Sequence, residues 1–178
     1  MKLLWFSDSK GFSGYPGAAT YCALVAVARP DITYAYDTLP GRDTNSEAAL
    51  LAKIAAVPNL TDVFIDLCVN DPLNGLGRSA AACVARLVNL ANVASDQGLS
   101  PIIATPMHCL QNRGVTPVLD HEQFTEAVAE EIRAYGYPFI DVRAAISRAD
   151  WPTYSTDLVH PDTVAGRQIL ANYIAPRL

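Results

Sequence analysis

Short apolar runs rich in β-branched residues alternate with longer amphipathic or alanine-rich stretches along the whole chain. Runs of the first kind are typical of buried strands, and stretches of the second kind are typical of helices that cover a sheet. The pattern predicts strands at 2–6, 32–36, 62–67, 101–105 and 139–142. It predicts helices at 17–28, 46–56, 78–97, 121–135 and 161–175.

The regular alternation of strand and helix indicates a parallel sheet built from βαβ units. Right-handed crossovers place helices on both faces of such a sheet. The predicted fold class is therefore α/β, a three-layer αβα sandwich around a central, mostly parallel five-stranded sheet. We expect the flavodoxin-like strand order 2-1-3-4-5, although periodicity alone does not determine it. The length of 178 residues predicts a single domain over residues 1–178.

Several predicted helix ends carry residues that favour a boundary. Asn45 or Ser46 can cap the second helix, because a short polar side chain accepts hydrogen bonds from the first N–H groups of a helix. Gly98 and Gly136 follow the third and fourth helices, and Pro161 suits the first position of the fifth.

Ligands bind beyond the carboxyl ends of the strands in sheets of this class, so the loops there are the place to look for a site. These loops are 7–17, 37–45, 68–77, 106–119 and 144–160.

The composition is that of a globular protein with mixed charges. Hydrophobic residues make up 51% of the chain, charged residues make up 17%, and the formal net charge is −5. No run of Lys or Arg occurs, so we expect no nucleic-acid partner. The apolar opening before Ser7 is too short for a signal peptide, and no stretch reaches the ~18 apolar residues of a transmembrane helix. We therefore expect no membrane span. The lack of a signal peptide favours the cytoplasm, while export by another route and the oligomeric state are left open.

The cysteines lie far apart in apolar surroundings and form no CxxC pair. Such spacing supports neither a disulfide framework nor a metal site. We expect reduced, mostly buried thiols, and we predict neither a metal nor a cofactor. The four cysteines are Cys22, Cys68, Cys83 and Cys109.

Ser9 is the first candidate for chemistry, because it comes just after the first strand, where a nucleophile would lie at the mouth of a site. A serine in this position is more often a turn or capping residue. Ser9 therefore needs support from other loops.

Asp157 and His160 supply that support, because they stand three residues apart in the loop before the last helix. A carboxylate held against one ring nitrogen fixes the tautomer of a histidine, so that the other nitrogen can take a proton from a serine. The alternative is an exposed aspartate and a histidine at a helix start. His108 and His121 have no acid in the same arrangement.

Two further loops hold donors suited to a developing negative charge. Asn70 follows the third strand, and its side-chain NH₂ can donate to an oxyanion while the following Asp71-Pro72 turn fixes its position. Gly41 follows the second strand, and its N–H is another candidate donor. Both segments are also compatible with ordinary turns.

The order of these blocks resembles that of the SGNH (GDSL-like) hydrolases over the whole length of the chain. The first block of that family, usually Gly-Asp-Ser, is Ser7-Asp8-Ser9 here. The third, usually Gly-x-Asn-Asp, is Cys68-Val69-Asn70-Asp71, and the fifth, Asp-x-x-His, is intact at 157–160. Ser7 and Cys68 thus replace two glycines, which puts rate and substrate in doubt more than the fold.

The resemblance implies a role for each matching residue. Ser9 would be the nucleophile, His160 the general base and Asp157 the carboxylate that orients it. The N–H of Ser9, the N–H of Gly41 and the side chain of Asn70 would form the oxyanion hole. Gly41 is the least anchored of these matches, because its block has little sequence around it.

The implied activity is that of a serine esterase, which hydrolyses carboxylic esters of a small molecule or carbohydrate through an acyl-enzyme on Ser9. The expected substrates carry short acyl groups or O-acetyl groups, which hydrolysis would release as the free acid. A thioesterase or lysophospholipase would use the same residues, and a catalytically weak carbohydrate-binding module would keep the same fold. A nucleotide binder is disfavoured because the loop 7–17 has neither a GxGxxG nor a Walker pattern. An α/β-hydrolase nucleophile elbow is disfavoured because no GxSxG occurs.

The loops 75–77 and 107–119, the latter with Arg113, are the expected walls of the substrate pocket. Gly75 and Gly77 are also loop glycines and so compete with Gly41 as the second-block match. Aromatic residues near the same edge are candidates either for stacking on sugars or for core packing. These aromatic residues are Tyr15, Trp151 and Tyr154.

Overall fold

The computed structural model describes residues 1–11, 20–77, 79–110 and 121–178 of the chain. In these ranges a five-stranded sheet has the order β2-β1-β3-β4-β5, and each neighbouring pair of strands is parallel. This confirms the predicted α/β class and strand order. The strands are β1 (Lys2–Ser7), β2 (Thr33–Thr38), β3 (Asp62–Asp66), β4 (Ser100–Ala104) and β5 (Phe139–Ile140).

Helices connect the strands and cover both faces of the sheet. They are α1 (Tyr21–Ala28), α2 (Glu47–Ala56), α3 (Ala80–Asp96), α4 (His121–Tyr135), α5 (Trp151–Tyr154) and α6 (Val164–Ile174). Short 3₁₀ turns lie at Ser9–Gly11, Val142–Ala145 and Ala175–Arg177. The predicted starts of the first and third helices, 17–19 and residue 78, lie outside the described residues. The four-residue α5 is new, since one turn is too short to show a periodic pattern.

The alternation of side chains along the strands divides the core into two layers. On one side, Leu4 and Phe6 of β1 pack with buried residues of α2, α3 and α4. On the other side, Leu3 and Trp5 pack with buried residues of α1, α5 and α6. Successive residues of one strand thus serve opposite layers, as a sheet covered on both faces requires.

Two predicted helix starts differ from the observed ones. The last helix begins at Val164 instead of Pro161, because the Thr163 hydroxyl accepts a hydrogen bond from the Gly166 N–H at 3.0 Å and forms the cap. Ser46 does occupy the cap position of α2, but its hydroxyl donates to the Asp43 carbonyl at 2.8 Å instead of capping the helix.

The carboxyl ends of the central strands meet at one edge of the sheet. The register pairs Ser7 of β1 with Thr38 of β2 on one side and with Asp66 of β3 on the other. The loops that leave this edge carry Ser9, residues 41–42 and Asn70. In the described part of the chain, no helix is long and apolar enough to cross a membrane.

Candidate active site

Ser9 begins the 3₁₀ turn that follows β1. Asp8 shapes this turn: its side chain accepts the Lys10 N–H at 2.9 Å, and its carbonyl accepts the Gly11 N–H at 3.3 Å. The turn points the Ser9 hydroxyl toward the loop before α6, where its Oγ lies 2.8 Å from Nε2 of His160. The two residues are 151 positions apart in sequence, so the tertiary structure alone brings them together.

Asp157 lies on the other side of the same imidazole ring. Its Oδ2 is 2.5 Å from Nδ1 of His160. Its Oδ1 accepts the backbone N–H groups of Val159 at 2.9 Å and of His160 at 2.7 Å. The structure therefore brings Ser9, His160 and Asp157 into one hydrogen-bonded chain, with the carboxylate held in place by its own loop.

Leu158 gives this loop its curvature. Its φ is 63°, a left-handed value that costs a residue other than glycine about 1–2 kcal/mol. The conformation is held by tertiary contacts, because the Leu158 carbonyl accepts the Leu110 N–H at 2.9 Å and the Trp151 Nε1–H at 3.1 Å. The Asp-x-x-His spacing alone does not reveal this strained residue between the two polar ones.

The electrostatics of Asp157 favour its charged form. Burial works to raise the pKa of this carboxyl, but the hydrogen bonds from the His160 ring and from the N–H groups of His160 and Val159 outweigh burial and lower it. Asp157 is therefore a carboxylate at neutral pH, able to accept a proton-bearing Nδ1 and hold one tautomer of His160.

Asn70 lies in the loop after β3 and is 7% exposed. Its Nδ2 donates to the Arg42 carbonyl at 2.9 Å, which fixes the plane of the amide. An amide nitrogen carries two hydrogens, and this bond accounts for one of them. Gly41, the residue before Arg42, is exposed and has a φ of 78°. Its carbonyl accepts a hydrogen bond from Asn74 Nδ2 at 2.8 Å. Hydrogen bonds thus join the loop that carries Asn70 to the loop that carries Gly41.

Arg42 is a supporting residue that the sequence reasoning missed. Its guanidinium donates to the Ser7 carbonyl at 3.2 Å and pairs with Asp37 Oδ1 at 2.9 Å, and it lies 4.2 Å from the centroid of the Phe6 ring. The Arg42 side chain thus ties the ends of β1 and β2 together, while the backbone carbonyl of the same residue orients Asn70. Its position beside Gly41 is the only signal in the sequence, and that signal does not indicate the contacts.

Asp71 holds the second and third loops together from beneath. This fully buried carboxylate accepts the N–H of Thr44 at 2.9 Å and its hydroxyl at 2.5 Å, and it pairs with Arg86 of α3 at 2.8 Å. Asp71 follows Asn70 directly, so the network fixes the backbone that carries the Asn70 amide. The sequence predicted a turn here but not these partners.

The two residues that replace glycines are accommodated differently. Ser7 is fully buried, and a Cβ on Gly11 would lie 2.2 Å from its Oγ, so the glycine at 11 makes room for the side chain at 7. Cys68 keeps a positive φ of 121°, a conformation that favours glycine, and therefore carries local strain. All four cysteines are buried, as predicted.

His108 has an acidic neighbour that the sequence spacing does not show. Its Nδ1 lies 2.7 Å from Glu122 of α4, and its Nε2 lies 3.0 Å from the Ile146 carbonyl. His121 likewise has its Nε2 3.3 Å from the Val69 carbonyl. The recorded partners of both Nε2 atoms are backbone carbonyls, in contrast to the serine hydroxyl beside His160.

The predicted pocket residues are only partly described. Tyr15 and Arg113 lie outside the described residues. Trp151 is 1% exposed and donates to the backbone, so core packing is correct for this aromatic residue. A cavity of about 230 Å³ adjoins the Ser9 turn at Gly11. Its other described lining residues are Thr20, Cys22, Ala23, Tyr36 and Thr38.

Among the described residues, no three His, Cys, Asp or Glu side chains are grouped so that they could hold a metal ion.

No protein-family model and no curated protein matches the chain. Solved structures do match. A lipolytic protein of the G-D-S-L family from Veillonella parvula has a TM-score of 0.79 at 17% identity, over 98% of this chain and 96% of that one. The aryl esterase of M. smegmatis has a TM-score of 0.80 at 19% identity, over 98% and 96%. An acetylxylan esterase from Geobacillus stearothermophilus has a TM-score of 0.70 at 21% identity, over 99% and 93%. The chain therefore has the α/β fold of the SGNH (GDSL) hydrolases, as the sequence predicts.

Proposed function

We propose that the protein is a serine hydrolase that cleaves carboxylic esters through an acyl-enzyme on Ser9. One observation carries the proposal: Ser9 Oγ lies 2.8 Å from His160 Nε2, while Nδ1 of the same ring lies 2.5 Å from Asp157. A hydroxyl, an imidazole and a carboxylate in this order form the arrangement that activates a serine toward a carbonyl carbon. The fold shared with structures named as esterases and lipolytic proteins agrees with the proposal.

The mechanism follows from this chain of hydrogen bonds. Ser9 Oγ attacks the ester carbonyl carbon while Nε2 of His160 takes its proton, and Asp157 stabilises the imidazolium through Nδ1–H. The tetrahedral intermediate collapses, and His160 returns the proton to the departing alcohol oxygen. Water then attacks the acyl-enzyme with His160 again as the base, releasing the acid and restoring Ser9.

The negative charge on the tetrahedral oxygen needs donors that are in place before the reaction. We assign this role to the N–H of Ser9, the N–H of Gly41 and the second amide hydrogen of Asn70. Asn70 has the strongest support, because the Arg42 carbonyl and the Asp71 network hold its amide and its backbone.

We propose short acyl groups, acetyl above all, as the substrate class. The cavity of about 230 Å³ lies at Gly11, the last residue of the Ser9 turn, and neither Ser9 nor His160 is among its described lining residues. The proposal of short acyl groups therefore rests on the fold match and not on the size of this cavity. The fold match to an acetylxylan esterase makes O-acetyl groups on carbohydrate the first natural esters to test.

The test compares hydrolysis of p-nitrophenyl acetate, butyrate and octanoate by wild type and Ser9→Ala, with fluorophosphonate labelling of both. We expect turnover that falls with acyl length, and we expect the Ser9→Ala variant to lose both turnover and labelling. Ser7→Ala is the matched control, because it removes a buried hydroxyl two residues away. Hydrolysis that survives in purified Ser9→Ala protein, or a wild type that is neither active nor labelled, would show the proposal to be wrong.

A further inference from the structure

A cluster of buried charges lies directly behind the Ser9 turn. The Lys10 ammonium is 3.0 Å from Asp66 Oδ1 and 3.5 Å from Asp8 Oδ2, and the lysine, Asp8 and Asp66 side chains are 1%, 0% and 1% exposed. The second oxygen of Asp66 accepts the hydroxyl of Tyr21, which is also fully buried. None of these side chains takes part in the mechanism above.

The cluster joins three elements at the point where Ser9 is held. Asp8 and Lys10 are the residues on either side of Ser9. Asp66 is the last residue of β3 and pairs with Ser7 in the register of the sheet, and Tyr21 is the first residue of α1. The Lys10 side chain therefore connects the Ser9 turn to the end of β3 through Asp66, and Asp66 in turn connects it to α1 through Tyr21.

Stability alone gives little reason to bury this lysine. Removing an ammonium and two carboxylates from water is costly, and apolar residues of similar volume often replace buried ion pairs without loss of stability. What an apolar side chain would not provide is direction: an ammonium has three donors that must meet acceptors at defined places. The cluster thus determines the position of the turn more than it determines the stability of the fold.

We propose that Lys10 is a positioning residue for Ser9, whose ammonium holds the 3₁₀ turn against Asp66 and Asp8 so that the Ser9 hydroxyl stays within hydrogen-bonding distance of His160. This inference rests on the proposed function and deepens it, because it names the group that places the nucleophile. Lys10 does not contact the reacting atoms and acts through the backbone of its neighbour.

The charge states of the cluster agree with this role. Burial works to lower the pKa of Lys10, but the carboxylates of Asp66 and Asp8 outweigh burial and raise it, so the ammonium persists at neutral pH. Burial raises the pKa of Asp8 to about 6, with Lys10 partly opposing the rise and Asp66 adding to it. The contact between Lys10 and Asp66 is therefore the charged pair on which the position of the turn depends.

The experiment removes the cation together with one of its two carboxylates. The Asp8 carboxyl that remains is fully buried, so without Lys10 it is expected to be protonated and neutral. Lys10→Met alone leaves two buried carboxylates without their cation and is expected to fold poorly, so the deciding variant is Lys10→Met with Asp66→Asn. We expect it to fold and to keep a KM near that of wild type, while kcat falls about 100-fold, the loss that a 1 Å misplacement of a reacting group can cause. Fluorophosphonate labelling should slow in parallel.

The matched control is a second buried ion pair, Glu122 with Arg143, whose side chains are 0% and 7% exposed and whose contacts in the described residues include neither Ser9 nor Lys10. The variant Glu122→Gln with Arg143→Met should lose stability but keep kcat. If its kcat falls as far as that of the Lys10 variant, the effect is a general response to lost stability, and the inference is wrong.

A crystal structure of the Lys10→Met, Asp66→Asn variant decides the inference independently of activity. We expect the separation of Ser9 Oγ from His160 Nε2, 2.8 Å in the wild type, to exceed hydrogen-bonding distance. An unchanged separation together with a wild-type kcat would overturn the inference and leave the proposed function intact. A wild type without Ser9-dependent hydrolysis would overturn the proposed function, while the measured separation would still test the positioning role.

Discussion

His160 and His108 are each 6% exposed, and each has its Nδ1 close to a carboxylate, at 2.5 Å from Asp157 and at 2.7 Å from Glu122. They differ at Nε2. His160 faces the hydroxyl of Ser9 at 2.8 Å, whereas His108 faces the carbonyl of Ile146 at 3.0 Å. A carbonyl only accepts hydrogen bonds, so Nε2 of His108 must donate, while a hydroxyl can donate to Nε2 of His160. A histidine whose Nδ1 faces a carboxylate can therefore act as a base toward a hydroxyl only when its Nε2 faces a group that donates a proton to it.

The two carboxylates also have different neighbours. Glu122 pairs with the guanidinium of Arg143 and accepts the N–H of Cys109 at 2.9 Å, so it connects α4 to two loops. Within the described part of the chain, Asp157 contacts the His160 imidazole, the Ser155 hydroxyl and two N–H groups of its own loop, and neither a lysine nor an arginine is among these partners. Glu122 is thus placed to stabilise the fold, and Asp157 is placed to orient one ring.

The largest expected difference is between His160→Gln and His108→Gln. Without its base, the first variant should lose about 10⁶-fold in kcat, the scale found when the histidine of a serine hydrolase triad is removed. The second should keep most of its kcat and lose stability instead, by about 1.5–3 kcal/mol for a buried hydrogen bond to a charged group. Ester hydrolysis and urea unfolding of both variants provide the measurement. Equal losses of kcat would mean that the geometry at Nε2 does not separate the two histidines.

Substitutions of Asp157 and Glu122 should differ in the same way as those of the two histidines, with a smaller loss of kcat. Asp157→Asn keeps the shape but no longer holds the productive tautomer, and we expect kcat to fall about 10⁴-fold with little change in fold. Glu122→Gln removes the charged partner of a buried guanidinium and should cost about 3–5 kcal/mol of unfolding free energy. Its folded fraction should still hydrolyse esters. The comparison breaks if the Asp157→Asn variant retains wild-type kcat.

The smallest expected effect is the loss of unfolding free energy at acidic pH. The folded-state pKa of Glu122 is lowered from 4.5, because hydrogen bonds from His108 and the Cys109 N–H and the charge of Arg143 outweigh burial, and that of Asp157 is lowered from 3.8. A carboxyl with a lowered folded pKa contributes stability that is present above its unfolded pKa and is lost as pH falls through the folded pKa. Wild type should therefore lose unfolding free energy as pH falls below about 5, and the loss continues through the lowered folded-state pKa values of these carboxyls.

Urea unfolding of wild type and Glu122→Gln across that range isolates the contribution of Glu122. The difference in unfolding free energy between the two proteins should narrow as pH falls, because the wild-type carboxyl becomes protonated and resembles the amide. A difference that stays constant with pH would contradict the lowered pKa of Glu122.

The candidate site was predictable where it depends on local spacing or on topology. Asp157 reaches His160 within one loop, so the three-residue spacing was informative by itself. Ser9 and Asn70 each follow a strand, and parallel strands bring their carboxyl ends to one edge. The residues at which helices begin, and the side chains that cap them, were less predictable. The last helix begins at Val164, after the Thr163 cap, and not at Pro161, because a side-chain cap outweighs a favourable proline position.

The sequence by itself determined the α/β class, because hydrophobic periodicity acts over a few residues. The strand order was an expectation from the fold class, and Ser9, Asp157 and His160 were identified together by the order of the blocks that resemble the SGNH hydrolases. Only the tertiary structure decided which distant groups support them. Lys10 and Asp66 are 56 positions apart, and the Asn70 amide meets the Arg42 carbonyl across 28. Such contacts depend on the conformations of the loops at one edge of the sheet, and hydrophobic periodicity along the chain does not predict those conformations.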